Sequence, residues 1–149
     1  MEQFKLRRIW EDVLEMEVEL TLKGKWCAVT VDEYVTGADI ESLVSTLRAF
    51  NARNGKSPET WAFNARNGKS PETWALDVPL VHVSLRFELA NARGTVRVNI
   101  EMEQMKGDGG DMKATFSFET TMGQMDELQR QLSAFLACET DWVESLRPE

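Results

Sequence analysis

VHVSLRFELANARGTVRVNIEM, residues 81–102, decides the fold. Val81, Val83, Leu85, Phe87 and Leu89 alternate with His82, Ser84, Arg86 and Glu88. Side chains along a strand point to opposite faces in turn, so this spacing predicts a strand with one apolar and one polar face. Asn91-Ala92-Arg93-Gly94 turns the chain, and Val96, Val98, Ile100 and Met102 form the next inward row. A Gly-rich loop, Lys106–Asp111, leads to a third row of Met112, Ala114, Phe116 and Phe118. The three strands make an antiparallel meander with one face in water.

The same period appears upstream. Leu14, Met16, Val18, Leu20 and Leu22 point one way, while Glu15, Glu17, Glu19 and Thr21 point the other. Lys23-Gly24-Lys25 supplies a turn, and Cys27, Val29 and Val31 continue inward on a second strand. Then the period changes to three and four, with Ile40, Leu43, Val44, Leu47 and Phe50 marking one stripe of a helix. Thr36 or Asp39 caps its start, and Gly55 after Asn54 suits the left-handed stop. A second helix is expected after a capping box at Thr121-x-x-Gln124, burying Met125, Leu128, Leu132, Phe135 and Leu136. In the tail, Trp142 and Leu146 fit one further helical turn.

Between the first helix and the meander, AFNARNGKSPETW stands at 49–61 and again, unchanged, at 62–74. Solenoids need at least about three units of about 20 residues or more, so this is not a repeat fold. It reads as a tandem insert at a position where added length costs little loop entropy. The seam SPETWAFNARNG, residues 57–68, carries its own helix signals: Ser57 as N-cap, Pro58 at the first position, Glu59 at the positive end, and Arg66 and Gly68 at the end. A short helix is expected there if Trp61 or Phe63 docks on the domain or on another subunit; the alternative is a mobile excursion. The expected fold class is therefore α+β: two layers, an antiparallel sheet of about five strands in the order ββα–insert–βββα, and helices packed on one face. Residues 1–149 read as a single domain.

With 42% hydrophobic and 28% charged residues, the composition is that of a globular chain. The net charge of −8 disfavours nucleic acid and anionic membrane as partners and favours a basic protein. No apolar run is long enough to span a bilayer, the N-terminal residues lack a signal-peptide pattern, and Cys27 and Cys138 read as free thiols, so cytoplasm is expected. Cys27 is expected in the core and Cys138 in the last helix.

Catalytic signals are sparse. His82, the only histidine, falls on the polar face of a strand, and no nucleophile set, metal-binding spacing or phosphate loop accompanies it. Asp108 and Asp111 lack the spacing of a calcium loop. No catalytic residue, metal or cofactor is expected. The better signal is a set of outward acids: Asp12, Glu15, Glu17 and Glu19 near the first strand, Glu101 and Glu103 on the meander, and Glu119 on its last strand. Like charges in neighbouring rows repel, so a sheet that keeps them presents either a solvated face or a binding patch for a basic partner.

The segment TWALDVPLVHVSLRFELANARGTVRVNIEM (73–102), with the Gly-rich loop, FSFET (116–120) and the amphipathic helix after it, resembles small bacterial immunity proteins of polymorphic and contact-dependent toxin systems, the wall-associated-protein immunity family among them. KWCAVTVDEYVTGADIESLVSTLRAF (25–50) is similar in layout. The resemblance implies a non-enzymatic protein that binds and blocks a cognate, basic toxin domain through an acidic surface. It supplies no catalytic motif, and the duplicated insert departs from it. A second expectation is a self-association module, a homo-oligomer or swapped dimer formed through the insert.

Overall fold

The computed structural model describes residues 2–64, 80–105 and 112–148. In chain order the elements are β1 (Phe4–Glu11), β2 (Met16–Lys23), β3 (Ala28–Val35), α1 (Gly37–Ala52), β4 (Glu59–Asn64), β5 (Leu80–Leu89), β6 (Thr95–Met105), β7 (Met112–Thr121), α2 (Met122–Leu136) and β8 (Trp142–Ser145). The α+β class and the antiparallel pairing match expectation. The single five-stranded sheet does not: two four-stranded sheets form instead, in the orders β3-β2-β1-β8 and β4-β5-β6-β7.

Three strands account for the difference. Phe4 and Leu6 of β1 point inward, but a bulge between Arg8 and Trp10 breaks the alternation that would have announced the strand. Four-residue β8 is too short for a periodic signal; it buries Val143 against the pairing with β1 and leaves Trp142 outside. This strand replaces the helical turn expected for the tail, and Leu146 beyond it is buried at φ +63°.

The third, β4, replaces the seam helix over its described part; Arg66, Gly68 and the rest of the second copy lie outside the described residues. Positions i and i+2 share a face of a strand, whereas a helix sets them about 200° apart. Extended backbone therefore lets both Trp61 and Phe63 face the core, with ring centroids 6.5 Å apart, while β4 gains a ladder on β5 from Glu59↔Phe87 to Asn64↔His82. Trp61 is only 6% exposed, so burial of a large ring outweighs the local helix signals.

The inner rows of both sheets and α1 meet in one core. Leu6 and Val18 of the first sheet, Trp61 and Val83 of the second, and Ile40 and Leu43 of α1 all line one small apolar gap of about 30 Å³. The helices contact each other; α1 also packs on β4, and α2 on β8 and β7, so they are not laid together over one sheet face. The expected stripe of α1 is buried, and Phe50 sets its ring 6.1 Å from that of Phe87.

Capping follows the sequence closely at α1. Thr36 is the N-cap: its hydroxyl accepts the Asp39 N–H (3.4 Å), and the Asp39 carboxylate accepts the Thr36 N–H (2.8 Å). Gly55 takes φ +74° and donates its N–H to the Phe50 carbonyl (3.0 Å). At α2 only the Thr121 half of the box forms, with Gln124 N–H donating at 3.2 Å; the Gln124 side chain instead accepts the Arg147 N–H.

Arg8 joins the ends of the chain. Its side chain is 6% exposed, with the guanidinium donating to the Phe135 carbonyl (2.6 Å), Thr140 carbonyl (3.3 Å) and Asp141 carboxylate (2.6 Å). It also stacks 4.1 Å from the Phe135 ring centroid. A cation on the last carbonyls of α2 is favoured by the helix dipole. Both cysteines are free and exposed. Cys27 lies in the β2–β3 connection, and Cys138 sits at φ +59° just past α2, where the chain leaves the helix; neither is in the expected place.

Candidate functional site

Each sheet turns one face to the core and one outward, and the outward acids divide between the two sheets. Glu101, Glu103 and Glu119 lie on the second sheet, Glu15, Glu17 and Glu19 on or beside β2 of the first, and Asp12 in the β1–β2 connection. The sequence grouped them as one surface; the topology makes them two.

On the second sheet the acids have basic or polar neighbours. Glu119 pairs with Arg97 at 3.1 Å, Glu103 lies in register between His82 and Lys113, and Glu101 lies between Ser84 and Thr115. Glu88 accepts from Asn99 (2.9 Å) and approaches Arg86 (3.7 Å). The outer positions here include Ser, Thr, Asn, His, Lys, Arg and Glu, a solvated face on which acids and bases alternate.

The first sheet is different. Its outer rows, read across β3, β2, β1 and β8, are Tyr34–Glu17–Trp10, then Asp32–Glu19–Arg7–Trp142, then Thr30–Thr21–Lys5–Glu144. Glu17 is flanked by two aromatic residues and, among the described residues, meets no cation in an ion pair. Glu19 faces Asp32 on one side and Arg7 (3.4 Å) on the other; both side chains of that pair are partly exposed, so the bridge adds little stability. Arg7 also stands 5.6 Å from the Trp142 ring centroid. Of five tryptophans in the chain, Trp10, Trp26 and Trp142 are exposed on this sheet or its turns.

At one end of the sheet the β1–β2 connection forms an apolar point. Val13 is 99% and Leu14 79% exposed, so Leu14 lies beyond the strand it was expected to begin. The Asp12 carboxylate accepts the backbone N–H groups of Leu14 (2.8 Å) and Glu15 (2.9 Å), and Asp12 N–H donates to the Glu15 carbonyl (2.9 Å). Those backbone donors hold the Asp12 carboxyl below its usual range, because they favour the charged form.

Sequence reasoning found Glu15, Glu17 and Glu19 but not Ile9, Trp10, Tyr34 or Trp142, all exposed here. Tyr34 was readable, since it alternates with Val31 and Val35; Trp10 was not, because the bulge changes its parity. The docking residues Trp61 and Phe63 pack in this chain's own core. Among the described residues, no group of three or more His, Cys, Asp or Glu is arranged to hold a metal ion, and no helix is long and apolar enough to cross a membrane. His82 stands on the outer face of the second sheet, opposite Asn64 and Glu103. The chain matches no family model, no curated protein and no solved structure.

Proposed function

We propose that this chain is an immunity or inhibitor protein that binds a cognate, basic toxin domain and blocks it by stoichiometric contact, without catalysis. One observation carries the reading: the outer face of the first sheet sets acids among exposed tryptophan and tyrosine, whereas the second sheet surrounds its acids with basic and polar side chains. Exposed Trp and Tyr are the side chains that most often anchor protein interfaces. Carboxylates beside them, Glu17 without an ion pair among the described residues and Glu19 held only by its partly exposed bridge to Arg7, attract a basic partner, speeding association and setting specificity. The layout resemblance to toxin-system immunity proteins points the same way, as does the net charge of −8. Glu15, Glu17 and Glu19 are the acids assigned to this contact; Glu101, Glu103 and Glu119 are assigned to the solvated face.

The alternative, self-association through the insert, has to use residues other than Trp61, which the core occupies. The test is co-expression with the product of the neighbouring gene, where the reading expects the toxin domain, followed by size-exclusion chromatography with light scattering. A one-to-one complex whose association slows with salt is expected. No complex at micromolar concentration sinks the reading.

A further inference from the structure

Resting on that reading, we infer that the end of the β1–β2 hairpin is the anchor of the contact, a preformed apolar point that seats a basic, amphipathic polypeptide segment of the partner. Four exposed apolar side chains belong to this end of the hairpin: Ile9 and Trp10 on β1, Val13 and Leu14 in the connection. Tyr34 stands in the same cross-strand row as Trp10, with Glu17 between them.

Two features of the backbone present this group outward. The bulge between Arg8 and Trp10 gives β1 one extra residue, so Arg8 stays opposite inward Val18 while Trp10 lands opposite outward Glu17. Strict alternation from Leu6 and Arg8 would have sent Trp10 to the core; the bulge exposes Ile9 and Trp10 together. The second feature is the Asp12 clasp, whose two accepted N–H groups fix the connection with Val13 and Leu14 in solvent. Neither arrangement helps the fold bury apolar surface. Both lower the ordering cost of binding, because the anchor is shaped before the partner arrives.

Charge selects the occupant. Glu15 is exposed next to Leu14, and Glu17 lies between Trp10 and Tyr34. A segment mixing arginine or lysine with bulky apolar residues satisfies both: its apolar side chains meet Ile9, Trp10 and Leu14, and its cations meet Glu15 and Glu17. Arginine can also stack on Trp10 and Tyr34. A second copy of this chain would bring the same acids against these, and an anionic membrane would be repelled.

The test uses the full chain and a fluorescein-labelled peptide of alternating arginine and leucine, with a glutamate–leucine peptide as control, read by fluorescence anisotropy. Expected is micromolar binding of the basic peptide alone, weakened by salt. The double variant V13S/L14S, whose side chains the fold does not use, should lose at least tenfold in affinity at unchanged melting temperature; Trp10→Ser should lose as much affinity with a lowered melting temperature, because about half of its ring is covered by the fold. Failure of the basic peptide to bind overturns the inference, and so does equal binding of the acidic one. Binding that survives V13S/L14S but is lost in E15Q/E17Q overturns the anchor while leaving the acidic-surface reading intact. Tip-dependent binding to phosphatidylcholine vesicles in place of the peptide would make the point a membrane contact and also overturns it.

Discussion

Deleting residues 62–74 should leave the fold standing. Because the copies are identical, deleting 49–61 yields the same chain, in which SPETW runs directly into ALDVPL. The β4 ladder on β5 then reads Glu59-Thr60-Trp61-Ala75-Leu76-Asp77, with Trp61 kept and Leu76 in the place of Phe63. Two terms oppose each other. Phe63 is half-buried and its ring lies 6.5 Å from that of Trp61, so its replacement by leucine costs about 1 kcal/mol. Against that, the chain between the last β4–β5 pair, Asn64↔His82, shortens from residues 65–81 to residues 78–81. Loop closure at (3/2)RT ln n makes this worth about 1 kcal/mol in favour of the deletion.

The expected net change is therefore within about 1 kcal/mol, a melting-temperature shift of no more than about 4 °C. Urea unfolding followed by circular dichroism and tryptophan fluorescence measures it. Phe63→Leu in the full chain separates the terms: it should destabilise by about 1 kcal/mol, and the deletion should recover most of that. A loss above about 3 kcal/mol, or non-cooperative unfolding, would refute the reasoning, because the deleted residues would then carry far more of the fold than Phe63.

Three further substitutions probe other contacts. Arg8→Met should cost about 2 kcal/mol, because it removes the charged bonds to Asp141 and to the Thr140 and Phe135 carbonyls, of which Phe135 keeps the Cys138 N–H; thermal unfolding checks this, and lysine should not restore the loss because it lacks the fork. Gly55→Ala should cost at least about 1 kcal/mol by denaturant unfolding, since an added Cβ would stand 2.9 Å from the Leu89 side chain at φ +74°. Asp12→Ala should speed hydrogen exchange at the Leu14 and Glu15 amides, whereas Asp12→Asn keeps an acceptor and should change them less. The Asp12 carboxyl is lowered by the fold, so its contribution is present above the ordinary value of 3.8 and is lost as pH falls below it. Protection of these two amides, taken relative to the intrinsic exchange rate at each pH, should fall in wild type in that acidic window and not at neutral pH.

Where alternation ran unbroken, the fold was legible: β2, β5, β6 and β7 bury the sides their patterns specify. It failed where geometry departs from the period. β1 carries the bulge, β8 has four residues, and β4 is written in residues that suit a helix. Missing β1 and β8 hid the first sheet as a layer of its own, because these two strands complete the sheet that β2 and β3 begin. The acids were visible because charge does not depend on register. Their division between two faces was not, because it depends on which strands pair. The aromatic half of the candidate site was lost with β1, since the parity of Trp10 is set by the bulge.

Ala-Phe-Asn makes the point within one chain. At 49–51 it is helical, with Phe50 on the buried stripe of α1; at 62–64 it is extended, with Phe63 against Trp61. Identical residues cannot carry different intrinsic preferences beyond their immediate flanks, so the difference comes from what each phenylalanine can reach. Phe50 follows Leu43 and Leu47 at helical spacing, while Phe63 follows Trp61 by two and has β5 beside it. The same reasoning separates the acidic faces. Glu17 and Glu103 both occupy outward strand positions, yet one has Trp10 and Tyr34 in register and the other His82 and Lys113. A carboxylate between rings gains little from its charge, whereas one beside a lysine contributes to its sheet. Only the first is placed for a partner to complete.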